Sequence, residues 1–102
     1  MDWTPLISGA HNRIAEHVVE TPLLNVQSFG LGYPVQLKLE QLQHAGSFKA
    51  RGAFNTLLSE PVPEAGLVAA SGGNHGAAVA FAARALGFHA KIYVPEIAGQ
   101  AK

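Results

Sequence analysis

The 102 residues contain no cysteine. A disulfide framework and thiolate chemistry are therefore excluded, and a reducing compartment is compatible with the composition. Excess charge of either sign is also missing, because seven basic residues cancel seven acidic ones. Without a basic surplus there is no electrostatic footprint for nucleic acid, and no charged tail for a membrane surface. Long hydrophobic runs are absent too. The longest uncharged apolar stretch, Ala77 to Ala83, is far below the ~20 residues needed to cross a bilayer. Met1-Asp2-Trp3-Thr4-Pro5 has neither the basic start nor the apolar core of a secretory signal. These absences point to a soluble, cytoplasmic protein without nucleic-acid or membrane partners. What is present, 48% hydrophobic residues, suits a globular core. A chain of this length buries roughly 60–70% of its unfolded surface, so that core is modest.

The pattern alternates helices and strands. Thr4-Pro5 can cap and open a helix, with Ile7, Ala10, Ile14 and Val18 on one face and Thr21-Pro22 as its terminator. Gly30, Gly32 and Pro34 mark a turn, and Val35 to Leu39 alternates as a half-buried strand. Gly46-Ser47 opens a helix whose apolar face is Ala50, Ala53, Phe54, Leu57 and Leu58; Pro61-Val62-Pro63 stops it. Leu67 to Ala70 reads as a short buried strand. Asn74 to Leu86 is an alanine-rich helix with Gly87 as its C-terminal cap, and Ala90 to Val94 is a further strand. This alternation predicts an α/β fold with parallel strand pairing through right-handed crossovers. A new helix is expected to begin near Ala101-Lys102. A sheet abandoned there keeps an open edge, so the chain reads as incomplete.

Two segments carry chemistry. Lys49 falls in the first turn of a predicted helix with Arg51 close by, and positive charge there opposes the helix dipole at a cost of ~0.3–1 kcal/mol when exposed. The position fits a solvated surface lysine. It also fits a desolvated amine that loses its proton readily and forms a Schiff base. The second segment, Ser71-Gly72-Gly73-Asn74-His75-Gly76, joins a strand to a helix N-terminus. Such a loop offers free backbone N–H groups to an anion, phosphate or carboxylate, and its glycines allow close approach. It also fits a plain strand-to-helix turn capped by Asn74 or Ser71. The spacing is neither the dinucleotide fingerprint nor the P-loop.

Taken together and in order, Val35 to Glu40, Leu42-Gln43, Gly46-Ser47-Phe48-Lys49-Ala50-Arg51-Gly52-Ala53 and Ser71 to Gly76 resemble the threonine/serine dehydratase (ammonia-lyase) branch of the fold-type-II pyridoxal 5'-phosphate (PLP) enzymes. Thr21-Pro22-Leu23 and Tyr93-Val94-Pro95 match further landmarks of the family, and the resemblance covers nearly the whole chain. It implies the N-terminal part of the two-domain tryptophan synthase beta-like fold. Residues 1–65 would belong to the large domain and residues 66–102 to the start of the small one. By the same resemblance Lys49 carries PLP as a Schiff base and removes the substrate α-proton. Phe48 packs on the pyridine ring and Asn74 bonds the cofactor's 3' oxygen. Ser71, Gly72, Gly73 and His75 grip the substrate carboxylate. Arg51 is read as a helix-start structural residue. The reaction implied is dehydration and deamination of threonine and/or serine to a 2-oxo acid and ammonia, in a homo-oligomer.

Several positions separate this chain from neighbouring branches. Serine racemases of the fold usually carry a serine at position 72, and Gly72 disfavours racemisation. Cysteine synthases usually have Asn-Thr where Asn74-His75 stands. Threonine synthases tend to carry aspartate where Ala50 follows the lysine. The family's phosphate-binding glycine loop and pyridine-nitrogen contact come from later sequence. Other fold-type-II chemistry (threonine synthesis or β-replacement), and a non-catalytic remnant or small anion-binding module, are the alternatives. His11, His17, His44 and His89 are read as surface or packing residues, with no metal site.

Overall fold

The computed structural model describes residues 1–27 and 29–98. Three helices and four strands account for most of them: α1 (Thr4–Ile14), β1 (Leu23–Val26), β2 (Val35–Lys38), α2 (Lys49–Ser59), β3 (Leu67–Ala70), α3 (Asn74–Leu86) and β4 (Ala90–Tyr93). Short 3₁₀ turns occupy Glu40–Leu42, His44–Gly46 and Glu96–Ala98. The helix expected near Ala101-Lys102 lies outside the described residues.

The second half follows the sequence pattern in its elements, but β3 is not the buried strand expected, since Val68 is 71% exposed. Strands β3 and β4 pair in parallel, with Leu67 opposite Ala90 and Ala70 opposite Tyr93, and α3 supplies the crossover. Gly87 ends α3 in the left-handed region at φ 80°, where its N–H and that of Phe88 close on the Arg84 and Ala83 carbonyls. Gly66 also needs its missing side chain. At φ +98° an added Cβ would lie 2.3 Å from the His89 carbonyl oxygen.

The first half departs from expectation in three ways. The α1 helix ends at Ile14, well before Thr21-Pro22. Val19 cannot extend it, because its N–H donates to Gln43 Oε1 (2.9 Å) and its carbonyl accepts from Gln43 Nε2 (2.8 Å). With α1 shortened, Ile7 is 65% exposed and only Ile14 of the expected face is fully buried. Its N-terminal cap is not the Thr4 side chain; Asp2 Oδ1 accepts the Thr4 N–H at 2.9 Å, and hydrogen bonding to Thr4 holds the Asp2 carboxyl below its ordinary pKa. Finally, Leu23–Val26 forms a strand that alternation did not mark. It pairs antiparallel with β2, Leu23 opposite Lys38 and Val26 opposite Val35, so among the described residues parallel pairing holds only for β3 and β4. The connection between β1 and β2 is too short for a parallel crossover.

The core lies between α2 and α3. Ala50, Ala78 and Ala82 are fully buried, and such small side chains let two helices approach closely. Phe54, 1% exposed, fills the centre beside Ile14, Ala53 and Val79. Two histidines extend this core: His17 stacks on Phe54 at 5.4 Å and His44 on Phe81 at 4.6 Å between ring centroids. Strands β1 and β2 pack mainly on each other, and Leu23 and Leu24 stay exposed. The radius of gyration, 16.2 Å, accordingly exceeds the ~13 Å of a closed 100-residue domain.

Candidate active site

Two helix N-termini face a common cavity. Phe48 is the N-cap residue of α2 and Lys49 its first residue. The Lys49 N–H donates to Ser47 Oγ at 3.3 Å, and Ser47 is buried. Ahead of it, Ala45 and Gly46 take positive φ values of 60° and 77°, which turn the chain between Gln43 and Ser47. Phe48 remains 60% exposed, and Lys49 Nζ lies 5.2 Å from the centroid of its ring. Lys49 itself is exposed, with its amine free to meet a ligand.

The cavity has a volume of about 570 Å³, within the ~300–1,000 Å³ of small-molecule sites. Phe48 and, from α2, Lys49, Arg51, Gly52 and Thr56 line it, with Leu67 to Ala69 of β3 and His75 and Val79 of α3. The structure thus brings Phe48, Lys49 and His75 together. Ser71, Gly72, Gly73 and Asn74 do not line this cavity, because their loop turns toward the far end of β4. The Ser71 N–H donates to the Tyr93 carbonyl (2.9 Å), and a Cβ on Gly72 would stand 2.7 Å from Ala98 Cβ. Gly73 faces open space.

No side chain caps α3 at its start, although Asn74 and Ser71 both had the chemistry to do so. Ser71 Oγ instead accepts the Gly73 N–H at 3.2 Å. The ladder of α3 begins with the Ala77 N–H on the Gly73 carbonyl (3.2 Å). The N–H groups of Asn74, His75 and Gly76 precede that ladder and form a donor set suited to an anion.

Behind Lys49 lies a polar cluster that periodicity did not reveal. Glu40 Oε1 accepts from Arg51 Nε in an ion pair, while its Oε2 accepts from Thr21 Oγ1 (3.1 Å) and Gln43 Nε2 (3.4 Å). The Arg51 hydrogen bond is the main cause holding the Glu40 carboxyl below its ordinary pKa, against an opposing effect of burial. Thr21 and Gln43 are both buried, at 4% exposure each. The sequence signal for this cluster was only the placement of Glu40, Gln43 and Arg51 within one motif. Among the described residues, no group of three metal-ligating side chains comes together.

Residues 14–102 match the family described as pyridoxal-phosphate dependent enzyme. The chain belongs to that family. Among its relatives, the biosynthetic L-threonine dehydratase of Mycobacterium leprae is 45% identical over 93 residues, covering 87% of this chain and 22% of that protein. A threonine deaminase crystal structure from T.th. is 43% identical with a TM-score of 0.78, covering 89% of this chain and 33% of that one. A PLP-dependent aspartate racemase structure is 39% identical with a TM-score of 0.86, covering 97% of this chain and 33% of that one. The chain therefore spans between about a fifth and a third of these proteins' lengths, and its α/β architecture resembles part of the fold-type-II PLP enzymes. The cofactor of this PLP-dependent family fits the residues present. The cavity offers an amine for the aldehyde, an exposed aromatic face beside it and room for a pyridine ring. No helix among the described residues is long and apolar enough to cross a membrane.

Proposed function

We propose that the protein containing this chain dehydrates and deaminates a hydroxy amino acid, threonine and/or serine, to a 2-oxo acid and ammonia, with Lys49 holding PLP. The observation that carries this reading is the cavity wall on which the Lys49 amine stands beside the Phe48 ring at the start of α2. When bound, PLP supplies the electron sink that stabilises negative charge on the substrate α-carbon. Lys49 anchors the cofactor and removes the α-proton. Phe48 packs on the ring and keeps water from that face. The Asn74 amide bonds the 3' oxygen. The Ser71–His75 loop holds the substrate carboxylate through the Asn74 and His75 N–H groups that the helix ladder leaves free, aided by the α3 dipole, which orients the bond to be broken. We assign residues 1–65 to a large domain and residues 66–102 to the start of a small one. The same reading makes the full protein a cytoplasmic homo-oligomer acting on small molecules, with no nucleic-acid or membrane partner.

Racemisation is the second reading, favoured by the likeness to the aspartate racemase. It requires an acid/base group on the opposite face. Gly72 supplies none, and a side chain there would meet Ala98 and Pro95. Elimination needs no such group, so dehydration is preferred. The test is 2-oxo acid release from threonine and serine by the full-length protein, with chiral analysis of the remaining amino acid. The proposal expects saturable release that falls at least about 100-fold in Lys49→Ala, the low end of the contribution of a positioned acid/base group. Racemised substrate without 2-oxo acid would overturn it.

A further inference from the structure

We propose that Glu40 is a positioning residue: through Arg51 it fixes the rotation of α2, and so sets where the Lys49 amine meets PLP. This rests on the reading of Lys49 given above. Lys49 and Arg51 are two residues apart, so at ~3.6 residues per turn their side chains leave α2 on opposite sides. Both border the cavity, but the Arg51 guanidinium reaches back to Glu40. The carboxylate of Glu40 is itself immobilised by Thr21 Oγ1 (3.1 Å) and Gln43 Nε2 (3.4 Å). Gln43 is in turn clamped to both backbone groups of Val19, at 2.9 and 2.8 Å. The first turn of α2 is thereby tied to the chain between α1 and β1, on the side away from the Lys49 amine.

The leverage is geometric. A helix with its side chains is about 10–12 Å across, so a rotation of about 10° moves a side-chain tip by about 1 Å. A misplacement of about 1 Å in a reacting group can slow a reaction by about 100-fold. In cofactor attachment the neutral Lys49 amine adds to the aldehyde carbon of PLP. The C=N bond then forms as the carbonyl oxygen leaves as water, with both amine protons accounted for in that water. The approach of nitrogen to carbon depends on where α2 points the side chain.

The experiment measures the rate at which PLP added to the cofactor-free, full-length protein becomes attached to Lys49, by timed borohydride reduction and peptide mass spectrometry. Glu40→Gln removes the charge and keeps the size. Ile14→Ala, in the core and not among the cavity-lining residues, serves as a control for lost stability, with both variants compared at the same interval below their melting temperatures. We expect Glu40→Gln to slow attachment by at least about tenfold and Ile14→Ala by less than about twofold. If Glu40→Gln is less than about threefold slower than Ile14→Ala, Glu40 acts only on stability and the proposal falls. Should Glu40→Gln fail to fold, Thr21→Val, which deletes one donor to the carboxylate, is judged against the same threshold. Attachment at Lys38 or Lys91 in the unsubstituted protein would overturn the reading of Lys49 itself. Attachment at Lys49 with unchanged rates would overturn only the role of Glu40.

Discussion

His44 lies flat against Phe81, with ring centroids 4.6 Å apart and planes 18° from parallel. This contact joins the turn that leads into Lys49 to the middle of α3, whose His75 and Val79 line the same cavity. Phe81 also meets Phe54 edge-on at 6.2 Å, so the stack continues into the core. A double-mutant cycle with His44→Ala and Phe81→Ala should give a coupling of about 0.5–1.5 kcal/mol, the range for aromatic pairs beyond area burial. Urea unfolding of the four variants measures it, and additive effects would remove this link between the two helix N-termini.

Neighbouring glycines in the β3–α3 loop should respond oppositely. A Cβ at Gly72 stands 2.7 Å from Ala98 Cβ, whereas Gly73 has nothing within 4 Å of the same atom. Gly72→Ser should therefore cost about 1–3 kcal/mol as overpacking. Gly73→Val should fold, yet its bulk should obstruct the anion-binding face. We expect a raised KM and lower kcat/KM with little change in the bound-cofactor spectrum. Unchanged steady-state kinetics in Gly73→Val would remove the carboxylate role from this loop.

Acid should dissolve the Glu40 cluster. The folded-state pKa of Glu40 is lowered from an ordinary 4.5, chiefly by the Arg51 hydrogen bond. A depressed carboxyl contributes stability that is complete above its unfolded value and lost as pH falls through the folded one. Melting temperatures of the native protein and Glu40→Gln should thus differ most above the ordinary carboxyl value of 4.5 and converge as pH falls below it. A difference that persists undiminished at low pH would mean that the ion pair is not its source.

Local chemistry made the second half legible. The alanine-rich run from Asn74 and the glycine after Leu86 define α3 without tertiary help, and β3 sits where Leu67 to Ala70 placed it. The first half depends on contacts distant in sequence. The backbone of Val19 is bonded to Gln43, 24 residues away, so the helix expected up to Thr21 cannot include it, and no periodicity encodes that. Strand β1, Leu-Leu-Asn-Val, has no alternation, and it exists because β2 pairs with it. At the site, Phe48, Lys49 and His75 line one cavity, whereas Ser71, Gly72, Gly73 and Asn74 do not. Arg51, expected as a helix-start structural residue, pairs with Glu40 and also borders the cavity, a pairing that helix periodicity does not encode.

The central claim is that Lys49, and no other lysine, bonds PLP. Borohydride reduction of the PLP-treated full-length protein, followed by peptide mass spectrometry, tests it directly. We predict a reduced pyridoxyl label on the peptide carrying Ser47-Phe48-Lys49, and its loss in Lys49→Ala. A label on Lys38 or Lys91, with Lys49 unmodified, would contradict it.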